Sequence, residues 1–575
     1  MNQRTISSCA LFGVLAGGLS TPVGAQVRVP FPMDVTAREG LLGTVELASR
    51  SADLAALVGL ERVILTGLPL TATRTVELAL ERVQFDFGAI GLQVDGRPVA
   101  GGVDAGDLTL WKGAIVGAAE SEVYLGLGTH GSHGWIHDGT ELFHVLGAAG
   151  PNGDWSRSIA RIVPEATLLA VGPGRGPFCA VDSLGGGPGT GAGAVAIGPP
   201  TTHALGGPGV TLHCPMAIET DYQLFQVFGS LAAEQNYVLT LLGAISDRYL
   251  DEIDTVLTFP YLAFYTTSGD PWTTQDSGGG TVDLLFEFRD AWANDIPAGA
   301  KLAHFVSGAS LGGGVAWVDV LCNGLYGFAV SANIGGGVSF PVTQGSNTWD
   351  FMVIAHETGH NFGTSHTHNY CPPLDECPAA QYWGPCQDER ICISNGTIMS
   401  YCHTCSGGMN NITTYFHPTV KGVMRTAAEN SCLQPYCGIT RTCTAKLNSA
   451  GCMPAIDWTG TPSLTGSDDF YVTATDVING QFGFLLWSLG PNELPFFGGT
   501  LCVAPPLMRT SVQYAGGNSS GNDCSGAFSY HLTQAYLSAA GFSGGDEIHL
   551  QYWYRDPFLF DLVGLTDALS VILCP

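Results

Sequence analysis

"AHETGHNFGTSHTH", residues 355–368, places four histidines and one glutamate in fourteen positions of a 575-residue chain that holds only 15 histidines. His356 and His360 are four apart, so on a helix they stand nearly one above the other and can grip a single ion. The apolar "TWDFMVIA" (348–355) ahead of them reads as a buried helix, with Thr348 as its cap. Glu357 lies beside His356, within reach of a water at the metal. Gly363 supplies a residue that can turn the chain sharply, which would bring His366 back as third ligand. Three neutral imidazoles favour Zn2+ with one position left open. His368 is surplus to that set and is expected at the surface or behind the ligands, and the role of His403 stays open.

Together with "GTIMSYCH" (396–403), this stretch resembles the metzincin zinc metallopeptidases, and within them the adamalysin/reprolysin type in a secreted, bacterial-looking form. The resemblance covers about 209–436. It implies a mixed sheet with an active-site helix, zinc held by His356, His360 and His366, Glu357 as general base, and Met399 in a turn that floors the metal site. "GVAWVDVLC" (314–322) is similar to the family's edge strand for an extended peptide substrate. "GGMNNITTYFHPTVKGVM" (407–424) is similar to its closing segment and final helix. Two positions depart from the pattern. Thr367 stands where this type usually has Asp, and Tyr401 follows the Met by two residues. In astacin-like and serralysin-like relatives a Tyr so placed binds zinc or the oxyanion. Tyr401 is therefore expected either in that role or in packing.

Composition sets the wider frame. Gly reaches 78 residues while charged residues are only 13%, which suits strands and turns better than long solvated helices. A formal net charge of −28 argues against a nucleic-acid partner, since phosphate binding needs clustered Lys and Arg. Residues 1–25 read as a secretory signal peptide: Arg4, then the apolar "CALFGVLAGGL" (9–19), then the small-residue Val23-Gly24-Ala25. The apolar run is too short to span a bilayer. Export agrees with cysteines that crowd between Cys371 and Cys443, read as disulfides whose pairing stays open. "CHTC" (402–405) keeps a structural zinc site as the alternative. No calcium-loop motif stands out, so Ca2+ has no sequence support beyond abundant acidic loops.

Residues 26–170 alternate apolar and polar residues, as in "LTLWKGAIVGAAESEVYLGLG" (108–128), and resemble the family's propeptide. His130, His133, His137 and His144 share no helical face, which counts against a metal role for them. Residues 171–208 form a Gly/Pro-rich linker. Its "PFCAVDS" (177–183) resembles the family's latency segment, in which a propeptide thiolate takes the open zinc position. Cys179 is thus expected either as that switch or in a disulfide, for instance with Cys214. Within 209–436, "LFQVFGSLAAEQNYVLTLLGAISDRYL" (224–250) carries helical spacing, and strand-like runs occupy 210–221, 255–267, 301–308 and 313–322. Residues 437–575 read as a β-sandwich module. Its "LQYWYRD" (550–556) offers aromatics either to a core or to a surface or polysaccharide contact.

The expectation is a multidomain α+β chain: signal peptide (1–25), strand-rich propeptide (26–170), linker (171–208), catalytic unit (209–436) and C-terminal β-sandwich (437–575). Its function would be that of a secreted zinc endopeptidase acting on protein or peptide, made as a latent precursor. The rival is a catalytically silent binding or adhesion protein on the same scaffold, against which an intact Glu357 argues.

Overall fold

The structure is a computed structural model that describes residues 27–37, 44–83, 85, 87, 90–103, 106–165, 178–179, 195–196, 211–335 and 349–574. The expected signal peptide, the Thr348 cap and most of the 171–208 linker lie outside the described residues. The protein is sheet-rich, with helices concentrated between 222 and 429.

Ten strands between Val27–Pro30 and Ile159–Pro164 form one N-terminal sheet. It is antiparallel except at one edge, where Val27–Pro30 runs parallel to Arg62–Pro69. Period-two alternation sends side chains to opposite faces. In Thr109–Ile115 and in the strand Glu122–Leu127, Trp111 and Leu125 enter a core private to this sheet. Their neighbours Leu110 and Tyr124 enter a different core, shared with the helices that follow.

That second core lies on one face of a nine-stranded mixed sheet, whose other face has a core of its own with Phe305, Phe328 and Val330. Its elements in chain order are β1 (Gly91–Val94), β2 (Arg97–Pro98), β3 (Phe178–Cys179), β4 (Leu212–Thr220), β5 (Thr255–Phe264), β6 (Leu302–Val306), β7 (Gly313–Ala316), β8 (Phe328–Ser331) and β9 (Gln434–Pro435). The order across the sheet is β3-β7-β8-β6-β4-β5-β1-β2, with β9 beside β4. β7 is antiparallel to β8, while β8, β6, β4 and β5 run parallel. Parallel strands need crossover helices. α1 (Leu231–Ile253) joins β4 to β5, and α2 (Thr281–Trp292) joins β5 to β6. The expected helix over 224–250 is broken at Gly229, whose φ of 64° ends a first short helix, Tyr222–Phe228. Ser230 then caps α1 through its side chain. The strand expected over 313–322 stops at Ala316.

α3 (Trp349–Asn361) follows β8, and every one of its residues is buried. α4 (Pro418–Glu429) closes this part of the chain. Beyond it, a six-stranded and a three-stranded antiparallel sheet share one core. Tyr552 and Tyr554 belong to that core and Trp553 stacks on Phe484, so the sugar-stacking reading of these aromatics is not supported by their placement.

Seven disulfides join fourteen of the cysteines: Cys322–Cys432, Cys371–Cys386, Cys377–Cys402, Cys392–Cys405, Cys437–Cys574, Cys443–Cys502 and Cys452–Cys524. Both cysteines of "CHTC" are consumed in this way, which removes the structural-zinc alternative. Cys179 and Cys214 are thiols and are not joined to each other. Among the described residues no helix is long and apolar enough to cross a membrane.

Candidate metal centre

α3 presents His356, Glu357 and His360 from its last two turns. Gly363, at φ 88°, reverses the chain, and its amide donates to the His360 carbonyl. A side chain there would be strained by the left-handed backbone. The turn brings the His366 Nε2 to 3.2 Å from the His360 Nε2. The three rings lie 4.7 to 5.1 Å apart, centroid to centroid, and all are buried. The Ile398 carbonyl takes the Nδ1 of His356 at 2.7 Å, and the Thr364 carbonyl takes the Nδ1 of His360 at 2.8 Å. A proton held on Nδ1 leaves the Nε2 lone pair as the metal-binding one. His366 is pushed well below the usual histidine range by burial, then by His356, His368 and His403.

The Cys179 thiol comes from β3 on the opposite side. Its Sγ is 3.4 Å from Glu357 Oε2 and 3.5 Å from His360 Nε2. One ligand atom from each of Cys179, His356, His360 and His366 lies within 4.8 Å of the others. Three imidazoles and a thiol form a donor set that fits Zn2+, and a buried convergence of donors has no packing rationale of its own.

Glu357 is fully buried, and burial holds its carboxyl well above the ordinary carboxylate range, opposed by the hydrogen bond from Cys179. It lies flat against β7. A Cβ on Gly314 would collide with the Glu357 carboxylate, so this close approach requires glycine. Cys179 pairs with that same Gly314 in the β3–β7 ladder, whose strands run parallel.

Below α3, Met399 is buried, and its Sδ would lie 2.9 Å from a Cβ placed on Gly359. Thr367, the residue that departs from the family pattern, donates its amide to the Met399 carbonyl at 3.1 Å and its hydroxyl at 3.3 Å. It thereby ties the third histidine to the Met399 turn. Tyr401 is buried, and its hydroxyl donates to the Cys179 carbonyl at 2.7 Å. His368 is not at the surface: it is buried, stacked on His366 at 5.1 Å, and next to Tyr401. His403 is buried near Tyr401 and Trp349. His133 and His144 are buried in the N-terminal sheet, and burial lowers them to about 3 and about 4. Among the described residues neither joins a metal-capable cluster.

Two features have little sequence signal. Gly314 is legible only as part of a glycine run, Gly312 to Gly314. His304, on β6, bridges Thr358 of α3 at 3.2 Å and Ser331 of β8 at 2.8 Å, so it braces α3 against the sheet. A single histidine in a strand does not announce that role.

No curated protein matches this chain. Solved structures match weakly. A chaperone–substrate complex is 12% identical over 39% of this chain and 35% of that one, with a TM-score of 0.24, so this chain spans only about a third of it. Wild-type OgpA from Akkermansia muciniphila, in two crystal forms, is 10% identical over 63% of this chain and 93% or 94% of that one, with TM-scores of 0.20 and 0.19. Likeness at that level fixes neither fold nor activity. Residues 210–416, however, match Reprolysin_5, of metallo-peptidase family M12. That span contains the three histidines, Glu357, Met399 and Tyr401. Residues 210–416 therefore form a reprolysin-type, metzincin-like domain of metallopeptidase family M12.

Proposed function

We propose that the chain is the latent precursor of a secreted zinc endopeptidase. The observation that carries this reading is the buried convergence of His356, His360, His366 and the Cys179 thiol beside the Glu357 carboxylate. His356, His360 and His366 would hold the ion. Bound zinc supplies Lewis-acid polarisation of water and of a peptide carbonyl. Glu357 takes a proton from the attacking water on its carboxylate and passes it to the leaving amine. The Tyr401 hydroxyl, already aimed at a carbonyl oxygen, would donate to the oxyanion once the Cys179 segment is displaced.

Extended peptide would pair with β7, the edge that β3 covers here. Latency would rest on the same contact: the Cys179 thiol would hold a bound zinc together with the three histidines and keep water from it. Seven disulfides favour an oxidising compartment, in agreement with a signal peptide over 1–25. The intact Glu357 disfavours the scaffold-only alternative.

The test is metal analysis and cleavage of a broad peptide library by the purified chain, before and after a cut between residues 180 and 210. One zinc per chain, with activity that rises on cutting and disappears with chelator, is expected. A chain without zinc after metal-replete purification would sink the reading.

A further inference from the structure

We propose that residues 27–165 are a permanent subunit of the enzyme and not a propeptide that leaves. After a cut between 180 and 210, the N-terminal fragment stays as the noncovalent partner of residues 211–574. The expectation of such a cut rests on the peptidase reading; the association itself does not.

The N-terminal sheet and the M12 domain have one hydrophobic core between them. Leu92, Leu110, Tyr124 and Trp155 lie in the same buried cluster as α1 and the active-site helix α3. The chain also crosses into the M12 sheet itself. β1 pairs in parallel with β5 over four residues, Gly91 to Val94 against Tyr261 to Phe264. Just beyond it, Asp95 accepts from the amide and hydroxyl of Thr266, both at 2.8 Å. An interface of this kind resembles a domain core cut in half, the character of obligate partners rather than transient ones.

The contact with α1 is too close for a surface meant to part. A Cβ on Gly126 would collide with Thr240, and one on Gly128 would come within 2.5 Å of Asn236. From the other side, a Cβ on Gly243 of α1 would come within 2.5 Å of Leu110 and 2.8 Å of the Tyr124 hydroxyl. Four polar contacts also cross this boundary. Tyr124 donates to the Thr240 carbonyl at 3.2 Å, and the Trp155 indole donates to the Phe228 carbonyl at 2.8 Å. Arg248 pairs with Glu122 at 2.6 Å, and Lys112 with Asp247 at 2.8 Å.

Of the 23 residues of α1, 16 are buried, so the helix has no face prepared for water. Departure of the N-terminal sheet would bare it. The same helix supports the metal centre: its Tyr249 donates to the Ala355 carbonyl at 2.9 Å, and its Tyr237 donates to Asp350 at 2.6 Å, both on α3. By contrast, the segment over the metal centre is held by β3, with two register pairs. Activation needs only that short strand to move.

The test inserts a site for a sequence-specific protease between Gly206 and Gly207 of the full chain carrying Glu357→Gln. After complete cutting, size-exclusion at about 10 nM and native mass spectrometry should show both fragments together, one to one, at the mass of the uncut chain. In a urea series the fragments should part only where the near-ultraviolet dichroism collapses. Separate elution in native buffer, whether or not the larger fragment stays folded, would overturn the proposal. So would parting at a urea concentration well below unfolding. Neither readout uses activity, so a chain that cleaved no peptide would leave the result standing.

Discussion

The hydroxyl of Tyr401 donates a 2.7 Å hydrogen bond to the backbone carbonyl of Cys179, 222 residues away in sequence. One residue beside Met399 thus holds the strand that brings a thiol to the three histidines. Tyr401→Phe keeps the ring and deletes this bond, worth ~1 kcal/mol when buried. In the uncut chain, Cys179 should then react with an alkylating reagent roughly five- to tenfold faster, read by mass spectrometry. An unchanged rate would show that the bond does not retain the segment.

Gly314 gives Glu357 its place. Because a Cβ there meets the carboxylate, Gly314→Ala should displace the Glu357 side chain while leaving the sheet intact. A misplacement on the scale of 1 Å costs about 10²-fold in rate. The cut variant should lose activity to that degree with a melting midpoint close to wild type. Full activity would mean that the carboxylate relocates without consequence.

Cys392–Cys405 closes a loop of 13 residues that contains Met399 and Tyr401. Replacing both cysteines by serine should cost about 3 kcal/mol through the freed unfolded chain. That corresponds to a midpoint lowered by ~6–12 °C in a calorimetric scan. Activity should fall alongside, since the floor of the metal centre loses its anchor.

Glu219 at the end of β4 is buried, accepts from the Trp272 indole at 3.2 Å, and is raised to about 8, chiefly by burial. The folded state therefore keeps a proton that the unfolded chain releases near pH 4.5. Below that pH both states are protonated and nothing is lost. Between pH 4.5 and about 8, only the unfolded state ionises, so stability falls as pH rises. Glu219→Gln should flatten this slope, and the midpoint difference between variant and wild type should grow from pH 4.5 to 8. A constant difference would contradict the assignment.

The convergence of the three histidines was largely legible because its parts are local. His356 and His360 follow helical spacing, His366 returns after one glycine turn, and the Met399 segment has a recognisable pattern of its own. What stayed hidden depends on pairs distant in sequence. Nothing in "GLQV" (91–94) indicates that it extends the sheet at Phe264, and nothing at Gly126 reveals Thr240 opposite it. The break at Gly229 was masked because the apolar spacing continues through it, whereas the backbone there turns left-handed. Which of its two expected places His368 takes was not legible, because its burial behind His366 involves Tyr401, 33 positions on. Disulfide pairing likewise follows from the folded path and not from spacing.

In the proposed chemistry Glu357 moves the proton at a zinc held by three histidines. Its most direct test compares the cut wild-type chain with cut Glu357→Gln, measuring zinc content and peptide hydrolysis on the same samples. One zinc per chain is expected in both, with hydrolysis lowered by ~10²–10⁴-fold in the variant. A variant that keeps its zinc and cleaves peptide at the wild-type rate would contradict it.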